Sequence, residues 1–185
     1  QPHGLVTSST QTLEQVLSKK APTVGVVQLS GSTHMMAERM RRVRPDIVVV
    51  PFNSPPEVQQ AVGNGSVDMG FAALSAVLGD TRVTAQGVIG NHTIKGVKPM
   101  GQRGFPGLEK YDINFFIVSH KSMPDAVSKE LHTILKQAIT NNKAYNETLL
   151  VDIASPINIK PNQYSAWYKE QVDIARDASL QVKEK

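Results

Sequence analysis

The feature that most limits how this chain can fold is an alternation of short apolar runs with stretches of helical spacing. Residues 23–29 (TVGVVQL), 46–52 (DIVVVPF) and 66–74 (SVDMGFAAL) are nearly continuous apolar runs. Such runs suit parallel strands covered on both faces. Residues 4–8 (GLVTS) read as a short strand ahead of them. Helical patterns fill the gaps. TLEQVLSKK opens on Thr12 with Gln15 three residues later, spaced as a capping box, and Pro22 ends it. Residues 33–43 place Met36, Met40 and Val43 on one face. PPEVQQAV is headed by Asn53 or Ser54, carries prolines in its first turn and stops at Gly63-Asn64-Gly65. The order β-α-β-α-β-α-β predicts an α/β protein with a parallel sheet.

The rest of the chain is less regular. TRVTAQGVIG holds room for one strand, and GVKPMGQRGFPGLEKY, rich in Gly and Pro, predicts a loop crossing the surface. DINFFIVSH reads as a strand. Pro124 opens a helix to about Asn141, NETLLVDIA reads as a helix end leading into an extended segment, and PNQYSAWYKEQVDIARDA as a last amphipathic helix. There is no internal repeat and no low-complexity tract.

With 185 residues, of which 40% are hydrophobic, the chain can bury a core as one large domain or two small lobes. It has no cysteine, which excludes disulfides, thiolate metal sites and cysteine nucleophiles. A net charge of +4 suits contact with small anions and does not argue for nucleic acid. The densest basic run, Arg39, Arg41, Arg42 and Arg44, lacks interleaved aromatics and reads as a solvated helix face. No apolar stretch approaches the ~20 residues that span a bilayer. The opening residues show no signal peptide, so the expectation is a cytoplasmic protein or a processed or trimmed chain.

One stretch concentrates hydrogen-bonding groups where a strand gives way to a helix: Ser30-Gly31-Ser32-Thr33-His34. A helix N-terminus leaves N–H groups unpaired and carries partial positive charge, so this junction could hold a carboxylate without a charged side chain. Plain helix capping accounts for the same residues, and both readings stay open. A second junction, Phe52-Asn53-Ser54, has the same form. Parallel strands would bring both to one sheet edge, where α/β proteins bind ligands. The third strand ends near Phe71-Ala72-Ala73 and offers no charge. Enzyme signals are poor. Ser32 and His34 need not face each other, and no nearby carboxylate orients the histidine. The five histidines are scattered without metal-ligand spacing. Asp46 and Asp68 look like ordinary turn or edge residues. No cofactor and no metal are expected.

SGSTHMMAERM followed by VVVPFNSPPEVQQAVGNGSVDMGF resembles the periplasmic solute receptors of tripartite tricarboxylate transporters. Ser32, Thr33 and His34 match the family's first loop and helix. Val50, Pro51, Phe52, Gly63, Val67, Asp68 and Phe71 match its next strand, helix, turn and strand. RGFPGLEKYDINFFIVSHKSMPDAVSKELHTIL and the last helix with Trp167 are similar to its later regions. The resemblance implies a periplasmic-binding fold of type II, in which 5–110 form the second, ligand-cleft lobe and 111–185 the returning part of the first. It implies capture of a di- or tricarboxylate or related small organic anion in the periplasm, for delivery to membrane permease subunits. Ser30, Gly31, Ser32 and Thr33 would hold a carboxylate. Phe52, Asn53, Ser54 and Ala72 would line the cleft, and His34 would pack behind the loop and brace it. Three departures stand out. The family's opening βα unit is absent, so pairing of two copies through the incomplete lobe is one expectation. Ala72 stands where many members carry an acid, which favours a fully anionic ligand. Val27-Gln28-Leu29-Ser30 stands where relatives have more glycine. The alternatives are an effector-sensing domain of a transcription regulator, which shares this fold class, and a hydrolase or transferase using Ser32.

Overall fold

The computed structural model describes residues 2–111, 113–115, 117–151, 159 and 163–183, with backbone alone for 148–151 and 178–183. Five strands and seven helices follow in chain order: β1 His3–Ser8, α1 Leu13–Leu17, β2 Thr23–Val27, α2 Ser32–Arg41, β3 Val48–Phe52, α3 Pro55–Gly63, β4 Met69–Ala73, α4 Leu74–Val77, β5 Val83–Val88, α5 Asp125–Asn141, α6 Lys143–Val151 and α7 Tyr164–Lys183. Two compact units emerge: residues 2–113 with the C-terminal helix, and 114–156.

In the larger unit the strands form one sheet in the order β3-β2-β4-β1-β5. β2 runs parallel to β3 and to β4. β1, however, lies antiparallel between β4 and β5, which corrects the expected all-parallel sheet. A buried apolar run reports that both faces are covered, and direction leaves no mark on it. β3 is also less covered than its sequence implied. It is an edge strand with Val48 half-exposed, and the edge is where Pro51, which lacks an N–H, can be accommodated.

Side chains alternate across the sheet, so Leu5 and Phe71 enter one apolar layer while their neighbours Val6 and Ala72 enter the other. The first layer gathers Met36 and Met40 of α2 with Val24, Val26 and Met69. Val43, expected beside those methionines, lies past the end of α2 and is exposed. The Gly/Pro-rich stretch also departs from expectation. Its 3-10 turns Met100–Arg103 and Leu108–Lys110 send Met100, Phe105 and Leu108 into this core, so the stretch packs as core rather than crossing the surface.

The second layer is set by two glycines. Gly25 and Gly70 face each other across β2 and β4. A Cβ on Gly70 would lie 2.6 Å from Val58 Cγ1 and 3.0 Å from Val62 Cγ2, and one on Gly25 would lie 3.1 Å from Val58 Cγ1. α3 therefore sits against bare backbone, with Val58 in the notch. Burying that valine contributes about 1.5–3 kcal/mol.

The strand starts are tied by Asp68. Its carboxylate accepts from Thr23 N at 2.8 Å, from Thr23 Oγ1 at 2.9 Å and from Lys19 Nζ. Its own N–H donates to Thr23 Oγ1 at 2.8 Å. Burial pushes the Asp68 pKa up, and the bonds from Lys19 and Thr23 together outweigh it, so the net shift is down. The arginine run likewise is anchored rather than merely solvated. Arg39 donates to Pro106 O, Arg41 to Glu38, and Arg42 and Arg44 pair with Asp177 and Asp46. Arg44 also ties the α1 end through the carbonyls of Leu17 and Lys19.

In the smaller unit the expected strand over 112–120 is not seen. The described residues there lie in no strand, and Phe115, Ile117 and Val118 are exposed. A strand needs a hydrogen-bonding neighbour, and all five described strands lie in the other unit. α5 begins after Pro124 as expected but buries no residue. Residues 152–158 and 160–162, expected to hold an extended segment and the approach to the last helix, lie outside the described residues.

Two tests follow from the sheet. Gly70→Ala should lower stability by about 1–3 kcal/mol through overpacking against Val58, whereas Gly79→Ala, which meets nothing within 4 Å, should not, as read from urea midpoints. Asp68→Asn should cost about 1–2 kcal/mol at pH 7. A carboxylate whose folded pKa is depressed stabilises above the unfolded value of about 3.9 and loses that contribution as pH falls. The gap between wild type and Asp68→Asn should accordingly narrow between about pH 5 and pH 2.

Candidate functional site

The register of β2 and β3 ends on the pair Val27 and Phe52, and Gln28 N donates to Phe52 O at 3.0 Å. The two polar junctions expected on one edge thus leave the sheet side by side. β4 runs parallel to β2, so its Phe71–Ala73 end reaches the same edge.

The first junction is a built loop. Gln28 and Ser30 both adopt left-handed backbone, with φ of 57° and 66°. Side chains rarely accept that region, and glycine fits it best. Two bonds hold it. Thr33 Oγ1 accepts from Val27 N at 2.8 Å and donates back to Val27 O at 3.4 Å. Ser30 N donates to His34 Nδ1 at 2.8 Å. A neutral imidazole accepting at Nδ1 carries its proton on Nε2. That nitrogen faces Glu38 Oε1 at 3.5 Å, and Arg41 Nη1 reaches the same oxygen at 2.8 Å. His34 and Glu38 are both buried. The imidazole therefore sits behind the loop as a brace.

Gly31 caps α2 with no side-chain bond, and a Cβ there would lie 2.9 Å from Val27 O. The loop has no room for any other residue. Ser30 and Ser32 are exposed at its mouth, as is Leu29, at 60%. Thr33 contributes differently from expectation: its hydroxyl is committed to β2, which leaves its backbone N–H for a ligand. Ser32 and His34 do not form a nucleophile–base pair, since both ring nitrogens face other groups.

At the second junction Asn53 is exposed, and Phe52 and Ser54 are half-buried. Here the structure adds a residue that sequence reading passed over. Glu57 Oε2 accepts from Asn53 N at 3.2 Å and Glu57 Oε1 from Ser54 Oγ at 3.0 Å. The chain's own carboxylate thus occupies the mouth of α3. The signal was present, because Ser54-x-x-Glu57 has capping-box spacing. Ala72 also falls elsewhere than expected. It is 3% exposed and packs with Val6, Val58 and Val62 beneath α3. Among the described residues no cluster of His, Asp or Glu could hold a metal, and no helix is long and apolar enough to cross a membrane.

No protein-family model matches the chain, and no curated protein sequence does. Solved structures do match. A TctC solute-binding protein from Polaromonas superposes with a TM-score of 0.71 at 14% identity, over 100% of this chain and 66% of that one. The chain has the fold of the TctC solute-binding proteins. The periplasmic binding protein BugD matches with a TM-score of 0.72 at 14% identity, over 97% of this chain and 66% of its own. A Rhodopseudomonas palustris protein solved with adipate matches at 0.70 and 15% identity, over 96% and 65%. The chain thus spans about two thirds of the length of these structures.

The brace can be separated from the mouth. Thr33→Val, which keeps the volume and removes both bonds to Val27, should cost about 1–3 kcal/mol in urea unfolding. Ser32→Ala, on the exposed side, should stay within about 0.5 kcal/mol.

Proposed function

We propose that the protein is an extracytoplasmic solute receptor that captures a small carboxylate and presents it to the permease subunits of a membrane transporter. One observation carries this reading: two polar strand-to-helix junctions stand side by side at the sheet edge, in the fold of proteins of which one was solved with adipate. The site has neutral donors only. The carboxylate would sit against the N–H groups of Ser32 and Thr33, which a helix leaves without internal partners, and the hydroxyls of Ser30 and Ser32. Gly31 would let it approach the backbone, and His34 would keep Ser30 in place. Each charge-assisted bond contributes about 1.5–3 kcal/mol.

Glu57 makes the second junction a poor anion site, so Phe52, Asn53 and Ser54 would bound the cleft by shape and neutral polarity. Ala72, buried beneath α3, would contribute only by leaving that floor uncharged. In this reading 5–110 form the cleft lobe and 114–156 belong to the other, while the C-terminal helix, expected with that other lobe, packs against α2 in the larger unit. Closure of the two lobes on the solute is the whole mechanism, with no bond made or broken, and the periplasm is the compartment. Exposed apolar residues in 113–118 would be where a second copy could pair through the incomplete lobe.

Titration calorimetry with adipate, malate and citrate tests the reading. Saturable binding of at least one is expected, and Gly31→Ala should weaken it about tenfold or more, by displacing the loop from Val27 O. A folded wild-type chain that binds none of the three in the millimolar range would overturn the proposal.

A further inference from the structure

Away from the sheet edge, a cleft of about 520 Å³ opens between the second half of α2, the turn before Tyr111 and one face of α7. That volume suits a small molecule. Its walls differ in charge. Arg39 and Lys110 stand on the α2 side, whereas α7 contributes Glu170, Asp173 and Asp177, with Lys169 at its edge. Part of this charge is already matched. Asp177 pairs with Arg42 at 3.1 Å, and Asp173 with Arg176 on its own helix at 3.3 Å. The side chains of Lys110, Lys169 and Glu170 have no hydrogen bond or ion pair among the described residues.

Two features show that the α2 wall is built. Gly107 has φ of 94°, and a Cβ there would lie 2.3 Å from the Arg39 guanidinium, so the guanidinium rests directly on glycine backbone. Arg39 Nε donates to Pro106 O at 3.1 Å, which leaves its terminal nitrogens for the cleft. Tyr111 is 9% exposed, its ring packs in the main core, and it lines the cleft. Its hydroxyl has no partner among the described residues and keeps access to solvent, so it is open to a ligand in the cleft. Burial, with Asp177 nearby, pushes that phenol's pKa up against the pull of Arg39 and Arg42, so the group stays a donor at neutral pH.

We infer that this cleft is a second binding site, for a small zwitterion whose carboxylate meets Tyr111, Lys110 and Arg39 and whose ammonium meets Glu170. An anion alone would face the acidic face of α7, and a cation alone would face Arg39 and Lys110. Only a ligand carrying both charges at its two ends matches both walls. The inference stands apart from the sheet-edge site, which uses other residues at the opposite end of α2.

The test is a calorimetric titration of the full chain with 6-aminohexanoate, set against hexanoate and hexylamine. The zwitterion should bind at least about tenfold tighter than either single-charge analogue. Tyr111→Phe should weaken it about tenfold while retaining the wild-type circular dichroism and unfolding midpoint. Glu170→Gln should weaken the zwitterion but not hexanoate. Equal binding of all three probes, or none in the millimolar range, would overturn the inference. So would loss of 6-aminohexanoate binding in Gly31→Ala with retention in Tyr111→Phe, which would place the probe at the sheet edge. Because the proposed carboxylate site uses Gly31 and this one uses Tyr111, the two proposals fail separately.

Discussion

Val58 rests where Gly25 and Gly70 face each other without side chains, and much of the larger unit's geometry follows from that contact. With any larger residue in the notch α3 would have to lift off the sheet. The strand pair beneath would lose its cover, and the junction between β3 and α3 would shift with it. β2 is the common element, since it pairs with β4 through this notch and with β3 on its other side. The position of α3 therefore fixes where Phe52, Asn53 and Ser54 stand relative to the loop that leaves β2. Asp68 adds the lateral lock, because it joins the start of β4 to the start of β2 through two acceptor bonds from Thr23, with a third from Lys19. Packing sets the height of the helix above the sheet and the carboxylate sets the register below it.

The loop after β2 depends on that frame and adds a cost of its own. Two non-glycine residues in left-handed backbone cost about 1–2 kcal/mol each. Thr33 and His34 supply the compensating bonds, one to each side of the loop. Because His34 is itself oriented by Glu38, and Glu38 by Arg41, the shape of the loop mouth is set from inside α2. A mouth held this way presents N–H groups and hydroxyls in fixed positions, so little ordering remains when a ligand arrives.

Local chemistry was legible in the sequence wherever one segment decides its own state. The capping box of Thr12 and Gln15, the proline start of α3 and the Met36–Met40 stripe all lie within one or two helical turns, and all are present. The glycine-poor loop was legible too, since Gln28 and Ser30 occupy the left-handed positions that glycine would fill at least cost. What failed were properties shared between segments. The direction of β1 depends on which strands flank it, and a run such as GLVTS carries no arrow. The edge position of β3 depends on the absence of a further neighbour. The arginines looked solvated because their partners, Pro106 and Asp177, lie far along the chain. Ala72 was read by alignment to a cleft position, yet strand alternation sends it to the face opposite Phe71. At the second junction the bonds of Glu57 to Asn53 and Ser54 were missed, although its spacing from Ser54 was visible.

The stretch 113–118 shows the same limit most clearly. Ile113, Phe115, Ile117 and Val118 have the composition of a strand, but strand propensity is a preference for a pleated, half-buried surface rather than for a backbone shape alone. Without a neighbouring edge, Phe115, Ile117 and Val118 gain neither ladder hydrogen bonds nor burial. Phe115, Ile117 and Val118 remain exposed, as does the apolar face of α5 formed by Val127, Leu131 and Ile134, whereas Ile113 belongs to the larger unit and packs against its core. A helix with an apolar face and no buried residue draws little stability from tertiary packing, which is where helices in proteins gain most of theirs. The larger unit is different, because its strands, its two apolar layers and its buried polar brace close on one another.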